Sequence, residues 1–151
     1  KSIGLTLVLS LLLYGCAAQV APVHSSIRSD LHGKWGWSHI PESCDKHPVE
    51  YSFSEDGRQL TVYAPAGASF GAIPSQQLSY EIVAESSAVM RMKGIGEARK
   101  TDQGELVVWD LIMRNRDTFC WQRTDWPIGA CTKNVVRCPL FVPGKKPQPA
   151  G

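Results

Sequence analysis

The chain has 151 residues, 43% of them hydrophobic and 20% charged, and a formal net charge of +2. These proportions belong to a globular chain and exclude a disordered one. The near-neutral charge also argues against a nucleic-acid partner, which would draw a strong basic excess.

Lys1 precedes an uncharged apolar run from Ile3 to Leu13. A membrane-spanning helix needs about 20 apolar residues, so this run is too short to span and reads as the core of a secretory signal peptide. Leu13-Tyr14-Gly15-Cys16 resembles the bacterial lipobox, in which the cysteine is lipidated and the chain is cut just before it. The resemblance implies that residues 1–15 are the signal peptide and that Cys16 becomes a diacylglyceryl, N-acylated first residue. Ala17 in place of Asp after the cysteine implies the outer membrane of a two-membrane bacterium, with the protein facing the periplasm. Several acyl chains, at about 0.8 kcal/mol per buried CH₂, hold a protein on a membrane stably. The alternative is an ordinary signal peptide cut after Ala17 or Ala18. Without Lys1 the formal charge falls from +2 to +1.

Residues 16–30 are small and polar, with Pro22, Ser25, Ser26 and Ser29, and read as a flexible tether. Residues 31–142 form one domain's worth of chain. Residues 143–151, Pro-rich and polar, read as a disordered tail. Within the domain the hydrophobic period is two. Trp35, Trp37 and His39 share one face of a first strand, and Val49, Tyr51 and Phe53 share one face of a second. Asp56-Gly57 turns the chain into a third strand from Gln59 to Ala64, a strong hairpin signal. Pro65 to Pro74 is a loop. Further strands run over Leu78–Val83, Val89–Lys93, Glu105–Met113 and Thr118–Arg123, and Val135-Val136-Arg137 offers an eighth. No window has helical periodicity. The expectation is an all-β antiparallel meander of about seven to eight strands.

With Cys16 committed to lipid, Cys44, Cys120, Cys131 and Cys138 remain, an even number in an oxidising compartment. Two disulfides are the default reading, and four cysteines leave three pairings open. A metal site of Cys44 with His39 and His47 fits no zinc spacing, so no metal is expected. Arg91, Lys93, Arg99 and Lys100 form a cationic hairpin that reads as a solvated face discouraging edge pairing, with anionic headgroups as the alternative.

Gly33-Lys34-Trp35 on the first strand resembles the Gly-x-Trp signature of lipocalins and related calycin barrels. The resemblance implies a lipocalin-like barrel closed at one end by an arginine packed over Trp35. Arg123, on an alternating strand with Trp121, is the residue expected in that role, where a cation over an indole is worth roughly 0.5–2 kcal/mol. The likeness also implies that Cys120 and Cys138 meet on the last two strands, with Cys44 and Cys131 in loops at the same barrel end. Cys131–Cys138 with Cys44–Cys120 is the rival pairing.

No hydrolase elbow, zincin motif or phosphate-binding loop is present, and Gly94-Ile95-Gly96 fails the dinucleotide fingerprint because Arg99 stands at the third glycine's place. Neither an enzyme nor a cofactor is expected. Two functions remain. One is a binder of a small apolar ligand, lined by Trp37, Tyr51, Phe53, Met90 and Trp121. The other is a protein-interaction module, such as an envelope assembly factor or periplasmic inhibitor, with a filled barrel. A dry cavity of several hundred Å³ favours the first; a filled core with an exposed aromatic patch favours the second, and the Pro65–Pro74 and Asp125–Gly129 loops are the places to seek one.

Overall fold

The structure, a computed structural model, describes residues 26–68 and 76–139. The expected signal peptide, Cys16, the tail and much of the Pro65–Pro74 loop lie outside the described residues. The remaining chain is an eight-stranded antiparallel meander in which each strand pairs with the next and β8 returns to β1, closing the barrel. The strands are β1 (Lys34–Trp37), β2 (Val49–Phe53), β3 (Gln59–Ala64), β4 (Gln76–Glu85), β5 (Val89–Gly94), β6 (Val108–Asn115), β7 (Thr118–Arg123) and β8 (Val135–Arg137). Closure leaves no unpaired edge to template aggregation.

Alternation puts one side of every strand inside. Trp35, Val49, Tyr51, Leu60, Val62, Tyr80, Met90, Met92, Leu111, Phe119, Trp121 and Val135 form the buried core. The β2–β3 hairpin forms as Asp56-Gly57 predicts. Gly57 takes a positive φ of 68° and its amide bonds the Ser54 carbonyl at 2.9 Å. The sixth strand begins at Val108, later than Glu105, because residues 95–107 make a hairpin of their own, bridged between Lys100 and Leu106.

Two short helices interrupt the all-strand reading. The first, α1 (Ile27–Leu31), starts at Ser26, whose hydroxyl accepts the Ser29 amide. Its Ile27 and Leu31, one turn apart, are both buried. The ordered unit therefore reaches back past the expected boundary at Leu31, into what reads as tether. The second, α2 (Ser43–Lys46), packs outside the wall over β1. Helices of five and four residues are too short to show a 3.6-residue period.

The barrel has two unlike ends. At the closed end lie the β2–β3, β4–β5 and β6–β7 turns, α1 and the end of β8. Arg28 of α1 straps this floor: it donates to the Gly57 carbonyl at 2.6 Å, pairs with Glu85 and lies over the Phe53 ring at 5.2 Å. At the open end lie residues 38–48, residues 65–68, the 95–107 hairpin and the 124–134 loop.

The disulfides join Cys44 to Cys138 and Cys120 to Cys131. This is the third of the possible pairings, and it overturns both the Cys120–Cys138 expectation and its rival. The reason lies in which way the side chains face. Cys120 points out of the wall, where the 124–134 loop folds back on β7 through Thr132 (its amide to the Trp121 carbonyl, 2.8 Å) and presents Cys131. Cys138 continues β8 beside Lys34, where α2 brings Cys44. Gly36 permits that approach, since a Cβ there would meet the Cys44 sulfur at 2.8 Å.

Candidate functional site

At the closed end an arginine does lie over the Trp35 ring, but it is not the one expected. Trp35 is fully buried, its indole N–H donating to the Leu31 carbonyl at 3.0 Å. The cation over its ring is Arg137, at 4.4 Å, and not Arg123. Register decides this: Trp35 stands opposite Arg137 across β1–β8, whereas Arg123 stands opposite Trp109 across β6–β7. The Arg137 guanidinium also bonds the Asp117 carboxylate and the carbonyls of His32, Asp30 and Arg116. Gly33 has φ 112°, a conformation closed to most side chains, and this carries the chain from α1 into β1.

From this floor a column of rings climbs to the mouth. Trp35 meets Phe119 at 4.8 Å, Phe119 meets Tyr51 at 5.5 Å, and Tyr51 stacks with Trp121 at 6.5 Å. Trp121 then meets Tyr80 at 5.4 Å and Trp109 at 6.2 Å, and Trp109 meets Trp126 edge-on at 5.9 Å. Burial pushes the Tyr51 hydroxyl well above its ordinary range, and Tyr80 is raised for the same first reason.

The residues expected to line a ligand pocket stand at different heights of one core. Phe53 and Met90 belong to the floor, Tyr51 and Trp121 to the middle of the ring column, and Trp37 to the upper end of β1 beside His39. They interlock with the rest of the core. Depressions of about 330 Å³ lie instead alongside the 95–107 hairpin.

The mouth carries the chemistry. Glu97, its side chain only 6% exposed, accepts from the Arg99 guanidinium at 2.7 and 2.5 Å, from the Arg99 amide at 2.9 Å and from the Trp109 indole at 3.4 Å. The Arg99 hydrogen bond is the chief cause that holds its carboxyl at about 2. Arg99 also lies over the Trp109 ring at 5.2 Å. Across the rim Arg123 makes a two-pronged bond to Asp125 at 2.9 and 2.6 Å. The exposed apolar side chains of the open half are Tyr63 on β3, Leu78 on β4, Ile95 and Leu106 on the 95–107 hairpin and, wholly exposed, Ile128; Val83, towards the closed end of β4, is exposed as well. Ile128 is in the Asp125–Gly129 loop singled out from the sequence.

The cationic hairpin is partly neutralised. Arg91 forks onto Asp110 of the next strand at 2.8 and 2.9 Å, and Arg99 onto Glu97. Sequence reasoning missed Arg137, Gly36 and the Glu97–Arg99–Trp109 cluster. The spacing Glu97-x-Arg99 was a signal only once a turn at Ile95-Gly96 was known. Among the described residues no group of His, Cys, Asp and Glu is placed to hold a metal, and Cys44 is spent on its disulfide.

Fold and floor together make this an eight-stranded meander barrel consistent with a lipocalin-like architecture. Comparison with protein families, with curated proteins and with solved structures finds no match.

Proposed function

We propose that the chain is a lipid-anchored bacterial envelope protein whose barrel is an interaction module, meeting its partner at the mouth instead of carrying an apolar molecule inside. The observation that supports this is the contrast between interior and rim. Trp35, Leu60, Met90, Met92, Leu111 and Phe119 are each 0% exposed, while Ile95, Leu106 and Ile128 are 56%, 55% and 106% exposed. A carrier needs the reverse, an apolar hollow behind a polar rim. Large apolar side chains left exposed on a rim suit a recognition surface. The anchor rests on the likeness of Leu13-Tyr14-Gly15-Cys16 to a lipobox.

The test is site-specific photo-crosslinking in the anchored, full-length chain. A photoreactive residue at Ile128 or Leu106 is expected to capture a partner, and one at Ser87 on the closed end is not. An apolar adduct co-purifying in native mass spectrometry would return the reading to the carrier. For the anchor, Cys16→Ser is expected to abolish labelling by radioactive palmitate and to release the protein from membranes.

A further inference from the structure

Closure removes the free edges of the barrel wall, but the 95–107 hairpin stands beyond that wall. Its arms are joined by the Val107 amide to the Arg99 carbonyl at 3.1 Å and by the Thr101 amide to the Glu105 carbonyl at 2.8 Å. An antiparallel strand turns the main-chain groups of successive residues to opposite sides. With Glu105 and Val107 bonded to the facing arm, the N–H and C=O of Leu106 point the other way, towards β7. Among the described residues they meet no partner there, because β7 stops short. Its ladder ends with the Thr124 amide on the Val108 carbonyl at 3.0 Å, and a turn then takes the chain away, the Trp126 amide bonding back to the Arg123 carbonyl at 3.1 Å. The space that a longer β7 would fill is a groove of about 330 Å³, with Leu106 and Val108 on one side and Thr124 and Asp125 on the other. An unpaired main-chain edge bordering a groove is the arrangement that takes up an added strand.

The side chains set what that strand carries. By alternation Leu106 and Val108 share one face of the arm, and Glu105 shares the other with the buried Val107. Asp102 and Glu105 line the groove, no lining residue is a cation, and Asp125 is already taken by Arg123. A strand laid beside this arm alternates in step with it. Its apolar side chains then fall beside Leu106 and Val108, and its basic ones beside Glu105. A second copy of the arm would instead bring like carboxylates together, which is unfavourable.

We propose that the Leu106 edge takes up, as an added antiparallel strand, an extended segment of a partner protein in which apolar and basic residues alternate. The proposal rests on the reading that the protein works through its mouth, and it names how the mouth holds what it meets. The probe is the peptide acetyl-Lys-Val-Lys-Val-Lys-Val-amide, titrated into the isotope-labelled full-length protein in detergent micelles and followed by NMR. Saturable shifts are expected at Leu106 and Val108, and solvent exchange of the Leu106 amide is expected to slow roughly tenfold or more. A residue paired with Leu106 through its main chain has its side chain on the Leu106 face, so the valines supply the hydrogen bonds. Methylating the valine nitrogens is therefore expected to weaken binding about fivefold or more, the worth of one main-chain hydrogen bond. Methylating the lysine nitrogens is expected to leave it, and the same peptide with Glu for Lys is expected not to bind. Leu106→Pro, which removes an N–H the fold does not use, is expected to stay folded and to lose the peptide.

Absence of a saturable response from folded protein overturns the proposal. So does equal binding of the two methylated peptides, which would leave only charge attraction, or equal binding of the Glu-containing one. The methylated peptides need no variant of the protein, so the test holds whether or not Leu106→Pro folds. If no peptide binds while Ile128 still captures a partner, the mouth reading stands and strand addition falls. If the peptides bind in the expected order but no crosslink forms at Ile128 or Leu106, the edge site stands and the reading of the mouth as an envelope-partner surface falls.

Discussion

Arg137 holds more of the floor together than any other single side chain. It bonds one carboxylate and three main-chain carbonyls while covering the Trp35 ring. Its loss would leave those carbonyls, at the junction of α1, β1 and the β6–β7 turn, short of a donor. Arg137→Met is expected to cost about 2–4 kcal/mol, since hydrogen bonds to a charged group contribute about 1.5–3 each and are not additive. Arg123→Met, which breaks only a rim ion pair, should cost about 0–1 kcal/mol. Urea unfolding midpoints at constant slope would check both. The sequence made the need for such an arginine legible through Gly33-Lys34-Trp35, but not its address. Both Arg123 and Arg137 end strands, and only the register across the closing seam tells which one faces Trp35. Gly36 was equally hidden, because nothing local reveals that a cysteine eight residues later will press on it. Gly36→Ala should destabilise by about 1–3 kcal/mol, the usual cost of overpacking, and should do so less when Cys44 is also replaced by Ala.

At the scale of elements, the strands were readable where they alternate, as β2 and β3 do, and where a turn carries its own chemistry, as Asp56-Gly57 does. The 95–107 hairpin was not, because its two arms are short and its fastening is a carboxylate that meets its partners only after folding. That fastening makes a pH prediction. Glu97 titrates at about 2 in the folded chain, below its ordinary 4.5, held there first by the Arg99 side-chain bond. Its contribution is therefore complete above the ordinary carboxylate range and is lost as pH falls through about 2. The Trp109 indole N–H signal, which reports the bond to Glu97, should keep its position through the range where free carboxylates protonate and move only near the lower value. In Glu97→Gln that late movement should vanish. The depressions alongside the 95–107 hairpin were still less legible, since the lining of one joins residues 101–108 to Thr124 and Asp125, whose meeting depends on the strands between them.

For the whole molecule, the two disulfides act over different lengths. Cys120–Cys131 closes a loop with a sequence separation of 11, and Cys44–Cys138 one of 94, nearly the entire described barrel. Chain-entropy arguments give about 3 kcal/mol for a loop near the first length and about 4–5 for one near the second. Paired replacement of Cys44 and Cys138 by Ala should therefore lower stability more than paired replacement of Cys120 and Cys131. The second pair should instead loosen the 124–134 loop, visible as faster amide exchange at Trp126 and Ile128. The barrel's polarity has a further result. Ser26 opens α1 beneath the floor, and Cys138 leaves β8 at that same end, bonded to Lys34. A stalk attached at either place would hang the domain like a lantern from its base. The rim, with its indoles and its bare isoleucines, would then look away from the surface the stalk springs from, toward whatever lies across the gap.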